Sequence, residues 1–360
     1  MVSPLHHGGP RRPGWPEGAI ALALLLPVTA AVPGLLRLPA MLTTPATALS
    51  SWLGPGLAGL TWLAAVALVV VAAWRIAKPP AESPNDRGPS PWAQLRAKPR
   101  AVVGLCLVTL LVLCSALAPL LAPFDPLAPG TVPSLAPPSP GCWLGGDLHG
   151  RDLLSRLLWG GRVSMGLGLL SVGMSVGIGC SLGALAGWYG GLLERLITGT
   201  ADLFLALPRL VLALAVLGLL RLSGPASLMA VVVVLGATGW MTMARMVRAS
   251  VRSLADGPVA RSARALGLPT WRILRVHLLP EVLSPVLVHA TLNLGRVVLI
   301  EASLSFLGLG VPQPTPSWGA TIALGREWLH SAWWISTFPG LALVGLVIGL
   351  ELLAEAASED

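Results

Sequence analysis

Apolar runs close to twenty residues long alternate along this chain with short segments rich in arginine, glycine and proline. A helix needs about 20 mostly apolar residues to cross the hydrocarbon core of a bilayer. Eight stretches meet that measure: 19–36, within 38–74, 101–121, within 163–193, 196–220, 222–244, 282–309, and from 333 into the acidic tail. Pro27 and Pro33 interrupt the first, while Trp52 and Trp74 bracket the second with an aromatic at each interface. A tight turn at Ser223-Gly224-Pro225 separates the fifth from the sixth. A signal peptide is the competing reading of residues 19–36, because Arg11 and Arg12 precede it. Glu17 and the lack of a small-x-small cleavage site favour a true span.

The polar segments set the expected orientation. Residues 243–280 hold Arg245, Arg248, Arg252, Arg261, Arg264, Arg272 and Arg275 against a single acid, Asp256. Residues 75–100 hold Arg75, Lys78, Arg87, Arg96, Lys98 and Arg100 against Glu82 and Asp86. Excess arginine and lysine beside spans marks the cytoplasmic side. Four expected spans lie between the two segments, an even number that returns the chain to the same side, and both termini are then cytoplasmic. The proline-rich segment 78–90 separates an N-terminal extension, residues 1–90 with about two spans, from a six-span core in residues 91–360. Residues 123–142, with seven prolines, cannot form regular helix or sheet and fall on the extracytoplasmic side.

Composition agrees with a membrane protein. The chain is 54% hydrophobic and 11% charged, against about 25% charged in soluble domains. Its 24 basic and 16 acidic residues would suit nucleic acid in a soluble protein. Here the arginines sit between apolar runs and face anionic lipid, so nucleic acid is not an expected partner. Cys106, Cys114, Cys142 and Cys180 lack the short spacings of a zinc or redox site, and no metal site is expected. The chain has no GxxxxGK phosphate loop, GxSxG elbow or HExxH pair, so neither enzyme chemistry nor a bound cofactor is expected.

Three features remain as candidates. Gly173 and Gly177, then Gly179, Gly183, Gly187 and Gly191, recur in steps of four, a stripe against which another helix can approach closely. Ordinary packing between membrane helices is enough to explain it. Asp202, Arg209, Arg296 and Glu301 lie within spans, where a charge costs several kcal/mol by common estimates, and are candidates for a translocation path. Asp202 and Arg209, two turns apart on one helix, would share a face, whereas Arg296 and Glu301 would not pair within theirs. Residues 253–280 predict a short amphipathic helix with Val259, Ala263 and Leu266 on one face and Arg261 and Arg264 away from it. Gly267 and Pro269 stop it, and a second short helix from Thr270 carries Trp271, Leu274 and Leu278. Such a unit is suited to being gripped by a cytoplasmic partner, or to lying on lipid.

Several motifs resemble one family. CWLGGDLHGRDLLSRLLWGGRVSMGLGLL (142–170) is similar to the LGTDxxGRDxxSRLxxGxRxSL signature of ABC-transporter permeases of the dipeptide/oligopeptide/nickel class, C-type subunit. ARALGLPTWRILRVHLLPE (263–281) resembles that family's ATPase-docking segment. EASLSFLGLGVPQPTPSWGATIALGR (301–326), FPGLA (338–342) and LAPLLAPFDP (117–126) are similar to its span ends and loops. The resemblance implies an all-α polytopic permease core in a bacterial cytoplasmic membrane, importing peptides or similar small solutes. It implies a second homologous permease subunit, an extracytoplasmic substrate-binding protein, and two cytoplasmic ATPases that carry the ATP and magnesium. Docking would fall to Val259, Arg261, Ser262, Ala263, Arg264, Leu266 and Gly267.

The sequence departs from the family pattern at three places. Arg261-Ser262-Ala263 stands where the family usually has Glu-Ala-Ala, LELLAEAASED (350–360) replaces a basic, glycine-bearing tail, and the N-terminal spans are additional. A transport-inactive scaffold and an ion-coupled carrier using Asp202 and Glu301 are the alternative readings.

Overall fold

The computed structural model describes residues 99–220, 222 and 224–358. The expected spans at 19–36 and 38–74, the linker 78–90 and residues 91–98 lie outside the described residues. The described chain is helical, with only two isolated β-bridges, at Ser139–Cys142 and Gly146–Asp152. Its helices are α1 (Pro99–Ala116), a single turn α2 (Ala118–Leu121), α3 (Leu153–Tyr189), α4 (Gly191–Leu205), α5 (Arg209–Leu220), α6 (Pro225–Ala237), α7 (Trp240–Ala255), α8 (Pro258–Ala265), α9 (Thr270–Phe306), α10 (Trp318–Gly325) and α11 (Trp334–Ser358). Five helical stretches are long and apolar enough to cross a membrane, and the bent pair α4–α5 makes a sixth if it counts as one span.

α3 is the axis of the bundle and touches α1, α6, α7 and α9. It begins where Asp152 accepts hydrogen bonds from Ser155 N at 2.8 Å and Ser155 Oγ at 2.7 Å, a side-chain cap on its first turn. It ends at Gly190, whose φ of 65° lets the chain turn into α4. At 37 residues it is about 55 Å long at 1.5 Å per residue, well beyond a bilayer core. The apolar run predicts a start near residue 163, but the helix begins at Leu153 because its two arginines are accommodated. Arg156 is fully buried in an ion pair with Asp147 at 3.6 Å, and Arg162 stacks over Trp159 at 5.1 Å.

The fifth expected span, a straight helix over 196–220, is corrected by the structure. α4 and α5 meet at 85° across a three-residue break that ends at Pro208. The residue before a proline disfavours helical backbone, and the proline ring blocks the preceding turn. Asp202 and Arg209 therefore sit on different helices and share no face. The pair still runs from one end of the bundle to the other. Glu194 in the first turn of α4 pairs with Arg248, and Gly218 of α5 lies near Leu309.

The sixth and seventh expected spans are longer than their apolar runs. α6 and α7 form one 30-residue span, Ala226–Ala255, rather than ending near 244. The second short helix expected from Thr270 is instead the first part of the 37-residue α9. A π-helical turn, Ile273–Leu278, carries it past Pro280, whose ring would otherwise press on the carbonyl of Val276.

One end of the bundle holds residues 122–152 and 307–333. The first of these loops has no helix or strand and is fixed instead by side chains. Asp147 Oδ1 accepts from the backbone N–H groups of His149 at 2.8 Å and Arg151 at 2.9 Å, while Arg156 donates to Pro126 O at 3.1 Å. Trp334 Nε1 donates to Gly146 O at 3.3 Å and ties the loop to α11. The opposite end carries the arginine-rich turn from α7 to α9. The tail continues α11 as far as Ser358, and Glu355 in it meets Arg100 at 3.2 Å.

Candidate functional site

Two places gather the candidate residues: the arginine-rich end around α8 and a cleft halfway along α9.

α8 starts at Pro258, whose missing N–H suits the first turn of a helix. It stops in a Schellman turn. Leu268 N donates to Ala263 O at 3.1 Å and Gly267 N to Arg264 O at 2.9 Å, with Gly267 at φ +71°. The predicted apolar face divides in two. Ala260 and Ala263 are buried in the chain's own core with Ile273, Leu274 and Leu278. Val259 at 57% and Leu266 at 79% exposure project away from it. The expectation that Ala263 and Leu266 share one docking face is therefore corrected, because Ala263 already has its contacts. Arg261 and Ser262 are exposed, and Arg264 lies over the Trp188 ring at 4.4 Å, bracing α8 on the end of α3. Trp271, Arg272, Arg275 and Val276 are also exposed on α9 nearby.

The glycine stripe is a helix contact. A Cβ at Gly179 would lie 2.6 Å from Met243 Cβ, at Gly183 2.5 Å from Ala244 O, and at Gly187 2.7 Å from Arg248 O. These three glycines seat α7 directly on the α3 backbone. A Cβ at Gly173 meets nothing within 4 Å, and Gly191 belongs to α4 with φ +61°. The working part of the stripe is Gly179, Gly183 and Gly187.

The four intramembrane charges separate. Asp202 is exposed and pairs with Arg245 of α7. Glu301 is fully buried. It accepts from Ser164 Oγ at 3.0 Å and Ser305 Oγ at 2.8 Å, while Ser164 Oγ also accepts from Trp318 N and Ser305 Oγ from Val311 N. That network fastens α3, the end of α9 and the start of α10 to one another. Glu301 is thus a structural carboxylate in this chain, not an exposed lining group.

Arg209 and Arg296 come together in a cleft of about 320 Å³ between the α4–α5 break, the α6–α7 junction and α9. Arg209 donates to Thr238 Oγ1 at 3.3 Å, Asn293 Oδ1 at 3.1 Å and Leu235 O at 2.7 Å. Gly239 makes room for it, since a Cβ there would stand 2.8 Å from the guanidinium. His289, Asn293 and Arg296 line the same cleft from α9, and Phe204, Leu212 and Ile300 add apolar wall. The sequence reading missed His289 and Asn293. Their signal was available, because 289, 293, 296 and 300 are spaced as one helical face. Among the described residues no group of three or more histidine, cysteine or carboxylate side chains is placed to hold a metal.

Comparisons with known proteins cover nearly all of the described chain. Residues 179–358 match the family described as binding-protein-dependent transport system inner membrane component, and residues 90–138 match the N-terminal TM domain of oligopeptide transport permease C. The chain is 34% identical over 284 residues to a dipeptide transport system permease protein of Alkalihalophilus pseudofirmus, covering 77% of this chain and 92% of that one. It is 36% identical to a di/tripeptide transport system permease protein of Pseudomonas aeruginosa, covering 77% and 93%. It is 37% identical over 218 residues to a glutathione transport system permease protein of Pectobacterium atrosepticum, covering 61% and 71%.

Proposed function

Since the chain belongs to the family of binding-protein-dependent transport system inner membrane components, we propose that it is the C-type permease subunit of an ATP-driven importer of peptides or similar small solutes. The similarity to dipeptide and di/tripeptide permeases supports the solute class. A second homologous permease subunit, two cytoplasmic ATPases carrying ATP and magnesium, and an extracytoplasmic binding protein complete the assembly. On this reading ATP hydrolysis falls to those ATPase subunits. The observation that carries the reading is α8, a short helix braced on the core through Ala260, Ala263 and the Arg264–Trp188 stack, which leaves Val259 and Leu266 free. A helix held rigidly at its inner face transmits a push applied to its outer one. The carrier alternative loses its two carboxylates, since Asp202 is paired with Arg245 and Glu301 is locked among serines.

The test is purification and reconstitution. ATPase subunits should remain bound in stoichiometric amount in detergent, and uptake into vesicles should require ATP and stop with vanadate. Purification without an ATPase would sink the importer reading, and a stable ATPase complex without uptake would favour the scaffold.

Orientation gives a second prediction. α1, α3, the α4–α5 pair and α6–α7 keep the even number of crossings between the two basic segments. With the native cysteines removed, a cysteine at Ser262 should label only from the cytoplasm and one at Ser134 only from outside. Both are exposed, at opposite ends of the bundle. Outside labelling of Ser262 would reverse the map.

A further inference from the structure

The cleft between α5, α7 and α9 has a charge balance that the fold does not explain. Its lining offers the guanidinium groups of Arg209 and Arg296, the His289 imidazole and the Asn293 amide, and contains no carboxylate. Among the described residues, neither Arg209 nor Arg296 forms an ion pair. Arg156, the fully buried arginine of α3, has Asp147 as its counter-ion, whereas the two cleft arginines have none among the described residues. Intramembrane cations that face a water-filled cavity mark the route of a charged passenger more often than a packing solution.

The depth of the cleft narrows the passenger. Asn293 lies about 21 Å along the helix axis from Leu279 and about 20 Å from Phe306, at 1.5 Å per residue. This is the middle of the span, beyond ordinary reach of the phosphates of either leaflet. The site also stands at a broken span, where α5 begins at Arg209 and its first turn opens into the cleft. The positive end of a half-helix at bilayer midplane is a common means of holding an anionic substrate group. Arg209 is held in place by three neutral acceptors, which orient the guanidinium and leave its charge uncompensated. Arg296 is exposed at the mouth, free to meet a second ligand group.

We propose that this cleft receives the carboxylate of the solute in transit, with Arg209 as the fixed donor and Arg296 as the adjustable one. The inference rests on the importer reading above and names the solute class as a small molecule with a free carboxylate, such as a peptide with an unblocked C-terminus. Phe204, Leu212 and Ile300 provide an apolar wall beside the charge, suited to an unspecific side chain.

The test uses the assembled transporter in phosphatidylcholine vesicles, with the native cysteines removed and Thr242→Cys placed in the cleft wall. Dialanine should protect this cysteine from a thiol reagent, and alanylalanine amide, which lacks the carboxylate, should not. In Arg296→Gln the dialanine concentration needed for protection should rise about tenfold, as expected for loss of one charge-assisted contact. Arg296→Lys should recover part of it, keeping the charge without the fork. Equal protection by acid and amide overturns the proposal, as does protection by phosphatidylglycerol but not by dialanine, which would assign the cleft to lipid. Loss of the second permease from the purified Arg296→Gln complex would make the arginine an inter-subunit contact and also overturn it. If wild-type uptake is ATP-driven and vanadate-sensitive while dialanine gives no protection, only this proposal fails. Absence of both uptake and an ATPase partner would instead remove the importer reading beneath it.

Discussion

Gly183→Val should abolish recovery of folded transporter, whereas Gly173→Val on the same helix should be indistinguishable from wild type. Even the first carbon of the new side chain at 183 would stand 2.5 Å from Ala244 O and 2.9 Å from Val247 Cβ. A backbone oxygen cannot rotate away, so relief requires α7 to move off α3 as a body. That movement would also loosen the contacts at Gly179 and Gly187, one helical turn to either side. Forcing extra carbons into a packed interface costs about 1–3 kcal/mol when side chains can adjust, and more where backbone is struck. Monodisperse material in detergent size-exclusion should fall by more than about tenfold, a factor worth about 1.4 kcal/mol. At Gly173 the added carbon meets nothing within 4 Å. Equal recovery of both variants would show that the α3–α7 contact does not hold the bundle together.

The pair of glycines also shows how far spacing could be read. Steps of four mark a stripe, but only the facing helix decides which members matter, and that helix comes from residues 240–251. Among the described residues five spans were legible, because hydrocarbon thickness sets a length that a run of apolar residues must meet. Span ends were not. The apolar count for α3 stops at Arg162 and Arg156, yet both are inside the helix, one matched by Asp147 and one stacked on Trp159. Pro208 lay in plain view within a uniform apolar run, but a proline can kink a membrane helix slightly or break it. The 85° bend is accompanied by contacts of Arg209 with Leu235, Thr238 and Asn293, which no local pattern announces. The cleft was half legible: Arg296 stood out as a charge, and the bond joining Arg209 to Asn293 spans 84 positions of sequence. α8 was legible as a helix, and its stop at Gly267 followed from composition. Which of its apolar residues faces outward was not, since Ala263 and Leu266 differ only in what α9 places beneath them.

That difference decides how coupling should be tested. Leu266→Asp should lower ATP-driven uptake by more than about tenfold, while insertion and pairing with the second permease stay intact. Leu266 is 79% exposed and carries no packing duty within this chain. If an ATPase groove covers it, the contact removes most of a leucine side chain from water, worth about 1.5–3 kcal/mol. An aspartate there forfeits that gain and adds an unpaired charge that costs several kcal/mol more. Ala263→Asp is the weaker experiment, because Ala263 is 5% exposed within the permease itself. It should reduce yield as well as transport, and would not separate folding from coupling. Arg261→Glu completes the argument. Arg261, Arg264, Arg272 and Arg275 are all exposed around this helix, with Asp256 as the acid nearby. A surface of that sign selects an acidic partner and speeds its encounter. Arg261→Glu should weaken ATPase binding, and the deficit should shrink as salt screens the charges. Unchanged binding in both Leu266→Asp and Arg261→Glu would place the coupling contact elsewhere on the chain.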